Sequence, residues 1–170
     1  MPTVIDGDTG VSQVQNGVIV QADLATGVAG TGPAFSAYQS TLQSVATSTY
    51  TKVQLQTEEF DTASCFDNAT NYRFTPTVAG YYQINGCVGF ANSPAIAMSS
   101  IYKNGTRVKR GSQSGSAANS GWLSVVSVLV YLNGSTDYVE LYAYQANGTT
   151  INTDAQAETT YFQAFLARSA

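Results

Sequence analysis

Histidine is absent from the 170-residue chain. This removes the usual general base, the commonest metal ligand and every serine or cysteine triad that relies on imidazole. The two cysteines, Cys65 and Cys87, cannot build a zinc site without it, and no metal or cofactor is expected. Charge is scarce as well: charged residues make up 11% of the chain and the net charge is −4. Of the seven basic residues only the run Arg107-Val108-Lys109-Arg110 is clustered, so nucleic acid is not expected as a partner. No apolar run approaches the ~18 residues that a membrane-spanning helix needs, so no membrane insertion is expected. The opening MPTVIDGDTG has neither the basic start nor the apolar core of an export signal. That points to synthesis in the cytoplasm and favours buried free thiols over a single bridge.

Aromatic residues are missing from residues 1–32, where DGDTG, QNG and TGVAGTG interrupt short apolar pieces. Without large side chains this region cannot form a core of its own. It reads as an extended N-terminal arm that docks on a partner, with a short strand and a helical turn closing at Gly27 within VIVQADLATG. Residues 33–170 form the head domain.

What the head does contain is a β pattern, with β-branched and aromatic runs broken by turn residues at regular intervals. Asn104-Gly105, Asn133-Gly134 and Asn147-Gly148 are each expected as hairpin turns, because an Asn-Gly pair tolerates positive φ. Each also starts a glycosylation sequon, as does Asn68-Ala69-Thr70, and the turn reading is preferred. In GWLSVVSVLVYLNG one face holds Trp122, Ser124, Val126, Val128, Val130 and Leu132, and the other Leu123, Val125, Ser127, Leu129 and Tyr131. One face can fill a sandwich, and the second then needs a different cover, for which another copy of the chain is the simplest answer. In the stretch Asn71–Phe90, Tyr82, Ile84, Val88 and Phe90 share a face opposite Tyr81, Gln83, Asn85, Cys87 and Gly89, and Pro76 and Gly80 are expected as the turn that starts the strand. Tyr81, Leu123, Val125, Leu129 and Tyr131 are the interface candidates.

The order of these signals resembles the globular head of the complement 1q family, in the tumour-necrosis-factor superfamily. GPAFSAYQS is similar to that family's first strand, NYRFTPTVAGYYQI to its central signature, IYKNGTRV to a later hairpin and YFQAFLARSA to its closing strand. The resemblance implies an all-β antiparallel sandwich with jelly-roll topology, assembled as a homotrimer. The N-terminal segments resemble the leading segments of bacteriophage virion proteins, which implies contacts with other virion proteins through the arm.

Together these features point to a virion structural protein, a fibre or knob on capsid or tail, whose loops bind the host surface, with surface polysaccharide as the expected ligand. The ligand candidates are Asn92, Ser112, Gln113, Asn119, Asn147 and Asn152, in segments rich in Ser, Asn, Gln and Gly. A capsid decoration protein without a host ligand is the alternative. Glu58, Glu59 and Asp61 in TEEFD raise a carboxylate-dependent polysaccharide hydrolase as a third reading. A solvated acidic cluster is the commoner outcome, and no enzyme is expected.

Overall fold

The computed structural model describes residues 30–92, 94–115 and 122–170. Nearly all of the expected arm, with its helical turn at Gly27, and the ligand candidate Asn119 lie outside the described residues. The described residues contain no helix. The strands are β1 (Ala34–Tyr38), β2 (Ser44–Val45), β3 (Thr51–Lys52), β4 (Thr57–Asp61), β5 (Phe66–Asp67), β6 (Arg73–Phe74) and β7 (Ala79–Phe90). There follow β8 (Ile96–Lys103), β9 (Thr106–Gly115), β10 (Trp122–Asn133), β11 (Val139–Gln145), β12 (Ile151–Asn152) and β13 (Tyr161–Ser169).

One sheet runs β10-β7-β13-β1-β4 and the other β5-β6-β11-β8-β9, with β3 beside β11 and a small β12-β2 pair. All these strand pairs are antiparallel. The expected all-β sandwich is therefore present, with the first and last strands of the head paired side by side through Phe35↔Ala164 and Ala37↔Phe162.

The core follows from the period-2 pattern of the long strands. Tyr82, Ile84, Val88 and Phe90 of β7 are buried, as are Ser124, Val126, Val128 and Leu132 of β10. They meet Ile101 from β8 and Leu141 from β11, both fully buried. At one end Phe35 of β1 stacks on Phe66 and Phe74 of the other sheet, each at 4.6 Å, and meets Phe162 edge-on at 5.2 Å. Each such ring contributes on the order of 1.5–3 kcal/mol by burial alone, so this cluster joins the two sheets across sequence-distant strands.

At the β9–β10 side the two sheets meet through serines. The Ser99 backbone N–H donates to Ser124 Oγ at 2.7 Å, and Ser124 Oγ donates to the Ser112 carbonyl at 2.6 Å. Ser112 Oγ accepts from the Val125 N–H at 3.0 Å. Gly111 makes this approach possible, since a Cβ there would lie 2.3 Å from the Val125 carbonyl oxygen.

Turn chemistry is only partly as expected. Asn104 (φ 51°) and Gly105 (φ 76°) form the tight β8–β9 hairpin, with two consecutive positive φ angles as a primed turn requires. Asn133-Gly134 is instead a crossover, because β10 and β11 lie in different sheets. There Asn133 Oδ1 accepts from the backbone N–H groups of Ser135, Thr136 and Asp137. Asn147-Gly148 likewise leaves β11 for β12, which pairs with β2. Gly80 is not part of a preceding turn: it is buried within β7, which starts at Ala79, where a Cβ would meet the Arg168 carbonyl oxygen of β13 at 2.6 Å.

Two stability measurements test these assignments, each at fixed protein concentration because any self-association would shift the midpoint. Ser124→Ala orphans the Ser99 N–H and is expected to cost about 1–3 kcal/mol in urea unfolding; Gly111→Ala is expected to cost more, and unchanged midpoints would contradict the serine junction. Asp67 accepts from the N–H groups of Thr70, Ala69 and Asn71. These bonds, chiefly that from Thr70, lower its pKa from 3.8 to about 2. The unfolded chain thus takes up this proton first, so the stabilisation is complete above about pH 4 and disappears as pH falls through about 2. Asp67→Asn is expected to flatten the acid limb of stability in that window.

Candidate functional site

The face of the first sheet turned away from the core carries the predicted apolar set. Along β10 the odd-numbered residues Leu123, Val125, Leu129 and Tyr131 are exposed, from 40% for Tyr131 to 58% for Leu129, and Tyr81 of β7 joins them. Register aligns these side chains into rows: Tyr131 opposite Tyr81, Leu129 opposite Gln83, and Gln83 opposite Phe165 of β13. The Tyr81 and Tyr131 rings are 5.6 Å apart. Lys103 reaches over from the second sheet, donating to the Tyr131 carbonyl at 2.8 Å and pairing with Asp137 at 2.8 Å. A depression of about 530 Å³ opens at one corner, lined by Tyr81, Leu129 and Ala167 to Ala170.

Sequence reasoning missed two large members of this face, Phe165 and Phe60, which are 49% and 51% exposed. The signal was present, because Phe165 alternates with the buried Ala164 and Leu166. A polar band crosses the face between Val125 and Leu129. Gln83 Nε2 donates to Ser127 Oγ at 2.9 Å, and Ser127 Oγ donates to Asn85 Oδ1 at 2.8 Å. Cys87 lies in the Val125 row yet is covered, and burial pushes its thiol up to about 11. Cys65 is also buried and both thiols are free, so neither is a reactive thiolate at neutral pH.

The ligand candidates are scattered by the fold. Asn92 and Asn147 are exposed outside the strands, and the second tip is anchored by Gln145, whose Nε2 donates to the Val45 and Thr149 carbonyls at 2.9 Å each. Ser112 and Gln113 are in strand β9, not in a loop, and Ser112 serves the inter-sheet junction. Asn152 is in β12, half-buried, and accepts from Ser44 Oγ at 2.9 Å. Loop-like composition misled here because short Ser/Asn-rich strands look the same as loops when read locally.

Two of the three acidic residues serve as structural acceptors. Both Asp61 oxygens accept backbone N–H groups, from Ala63 at 3.1 Å and Phe66 at 2.7 Å. Glu59 accepts from Ser36 Oγ at 2.7 Å. Burial raises the pKa of Glu58, with a smaller push from Asp61. Among the described residues no group of three or more carboxylates and thiols comes together to hold a metal ion.

No family model matches the chain, and no curated protein matches it by sequence. Solved structures do. The Eiger tumour necrosis factor of S. frugiperda superposes with a TM-score of 0.65 at 10% identity, covering 81% of this chain and 93% of that one. Murine APRIL at pH 5.0 gives 0.61 at 11% identity, over 78% and 96% of the two chains. The globular domain of zebrafish complement 1qA gives 0.60 at 14% identity, over 81% and 99%. At such identities the likeness is one of fold: the head is a tumour-necrosis-factor-like jelly roll of the complement 1q type.

Proposed function

We propose that the chain is a non-enzymatic structural protein of a bacteriophage particle, a fibre or knob that assembles as a homotrimer. The outward face of its first sheet forms the subunit interface, its N-terminal arm docks on other virion proteins, and its exposed loops meet the host surface. The observation that carries the assembly reading is the row of exposed apolar residues on that face, Tyr81, Leu123, Val125, Leu129 and Tyr131. Apolar side chains in one contiguous patch are adhesive in water and are normally covered. The covering partner suggested by the resemblance to trimeric heads is a second and third copy. The polar band of Gln83, Asn85 and Ser127 would then sit inside an apolar interface and favour one register.

The virion reading rests on the arm, whose run of short apolar pieces without aromatics suits docking on a larger particle. The asparagines at the exposed positions 92 and 147 supply amide donors and acceptors suited to a polar polymer. Three weak sites per knob and many knobs per particle would add avidity without new contacts.

Light scattering of the full chain is expected to give a trimer at micromolar concentration, with an interface of roughly 2,000 Å² or more in total. Leu129→Asp is expected to yield monomer or to prevent folding, whereas Asn147→Asp at a loop tip leaves assembly unchanged. A wild-type monomer would refute the assembly reading. Gold labelling of intact particles tests the location: label on head or tail is expected, and particles without it would refute the virion assignment.

A further inference from the structure

The second sheet also turns one face away from the core, and its chemistry is different. Cross-strand partners share a face, so the pairs Tyr142↔Ser100, Tyr144↔Met98 and Glu140↔Tyr102 bring Tyr102, Tyr142 and Tyr144 into one patch. The Tyr102 and Tyr142 rings stack at 4.0 Å. Tyr50, just before β3, lies against the patch, 4.7 Å from the Tyr144 ring and 6.2 Å from the Tyr102 ring. All four tyrosines are half-buried. On the flank, Arg107 pairs with Tyr102 and Arg110 with Ser100, and the Arg107 guanidinium sits 4.8 Å over the Tyr50 ring. The Ser100 hydroxyl on the same face is buried and has no partner.

The charges on this face do not cancel internally. Glu140 is matched by Lys52 at 2.9 Å and Asp137 by Lys103 at 2.8 Å, the only ion pairs among the described residues. Arg107 and Arg110 are exposed and belong to neither, whereas Lys109 lies opposite the core residue Ile101 and so on the other face of β9. A chain of net charge −4 thus keeps two uncompensated arginines beside four tyrosines. Cations on an edge strand also discourage edge-to-edge pairing, but that role needs no aromatic partner, and Arg107 has one.

We propose that this outer face binds an acidic polysaccharide. Sugar rings lie on the tyrosines through their apolar C–H faces, and uronate carboxylates reach Arg107 and Arg110. β9 bulges between the two arginines, which lie opposite Tyr102 and Ser100, two residues apart on β8, or roughly 7 Å along the strand. A uronate polymer offers apolar ring faces for the tyrosines and carboxylates for the arginines together, whereas a chain of net charge −4 is poorly suited to tracking the phosphates of nucleic acid. The site lies on the opposite side of the sandwich from the assembly face, uses none of the loop candidates, and does not depend on the virion reading.

The test is calorimetric titration of the full chain at low salt with an oligogalacturonate, alongside a maltooligosaccharide of equal length and an oligothymidylate. The oligogalacturonate is expected to bind, and Arg107→Gln or Arg110→Gln to weaken it about tenfold or more with unchanged unfolding midpoint and assembly. Tyr50→Leu is expected to weaken it as well. No binding at about 1 mM, equal binding of the neutral sugar, tighter binding of the oligothymidylate, or full affinity in the double arginine variant would each overturn the proposal.

Discussion

The structure depends on one constraint: β7 and β10 are paired over their full lengths, from Trp122↔Phe90 to Asn133↔Ala79, and β10 is largely apolar on both faces. A strand of that kind cannot lie at the surface of an isolated sandwich without leaving one apolar row wet. Its even-numbered residues face the core, so its odd-numbered residues must face outward. A one-residue slip would exchange the two sets and place Ser127 and Tyr131 in the core.

The other sheet meets that pair at two places of different chemistry. At one end the phenylalanines around Phe35 join the layers by apolar contact. At the side, Ser99, Ser124 and Ser112 join them by hydrogen bonds in a space that Gly111 leaves open. A buried serine on an otherwise apolar strand face looks like a flaw in the pattern; here it satisfies a backbone N–H and a carbonyl that would otherwise be unpaired, which is costly away from water. The result is a sandwich whose two outer faces differ, one apolar with a polar band, the other tyrosine-rich and cationic.

Much of this was legible in the residues. The alternation in β7 and β10 sorted Tyr82, Ile84, Val88 and Phe90 onto one face and Leu123, Val125, Leu129 and Tyr131 onto another, because side-chain direction in a strand is a local property. The Asn104-Gly105 turn was legible for the same reason. Asn133-Gly134 and Asn147-Gly148 were misread as hairpins, since an Asn-Gly pair reports local backbone conformation and not whether the chain returns to the same sheet. Ser112, Gln113 and Asn152 were misread as loop residues because strand pairing is a long-range event: Asn152 pairs with Ser44, far away in sequence.

Sequence alone determined the all-β class, the two-faced character of β10 and the lack of imidazole chemistry, since these follow from residue identity and local periodicity; the likeness to a complement 1q head was carried by the order of four motifs. Only the tertiary structure decided which face of β10 is buried, that Ser124 bridges the sheets, and that Tyr50, Tyr102, Tyr142, Tyr144 and Arg107 share one surface. These residues come from separate strands and the segment just before β3, and what brings them together is the order of strands in the sheet, a property of pairing between distant segments that no local pattern encodes.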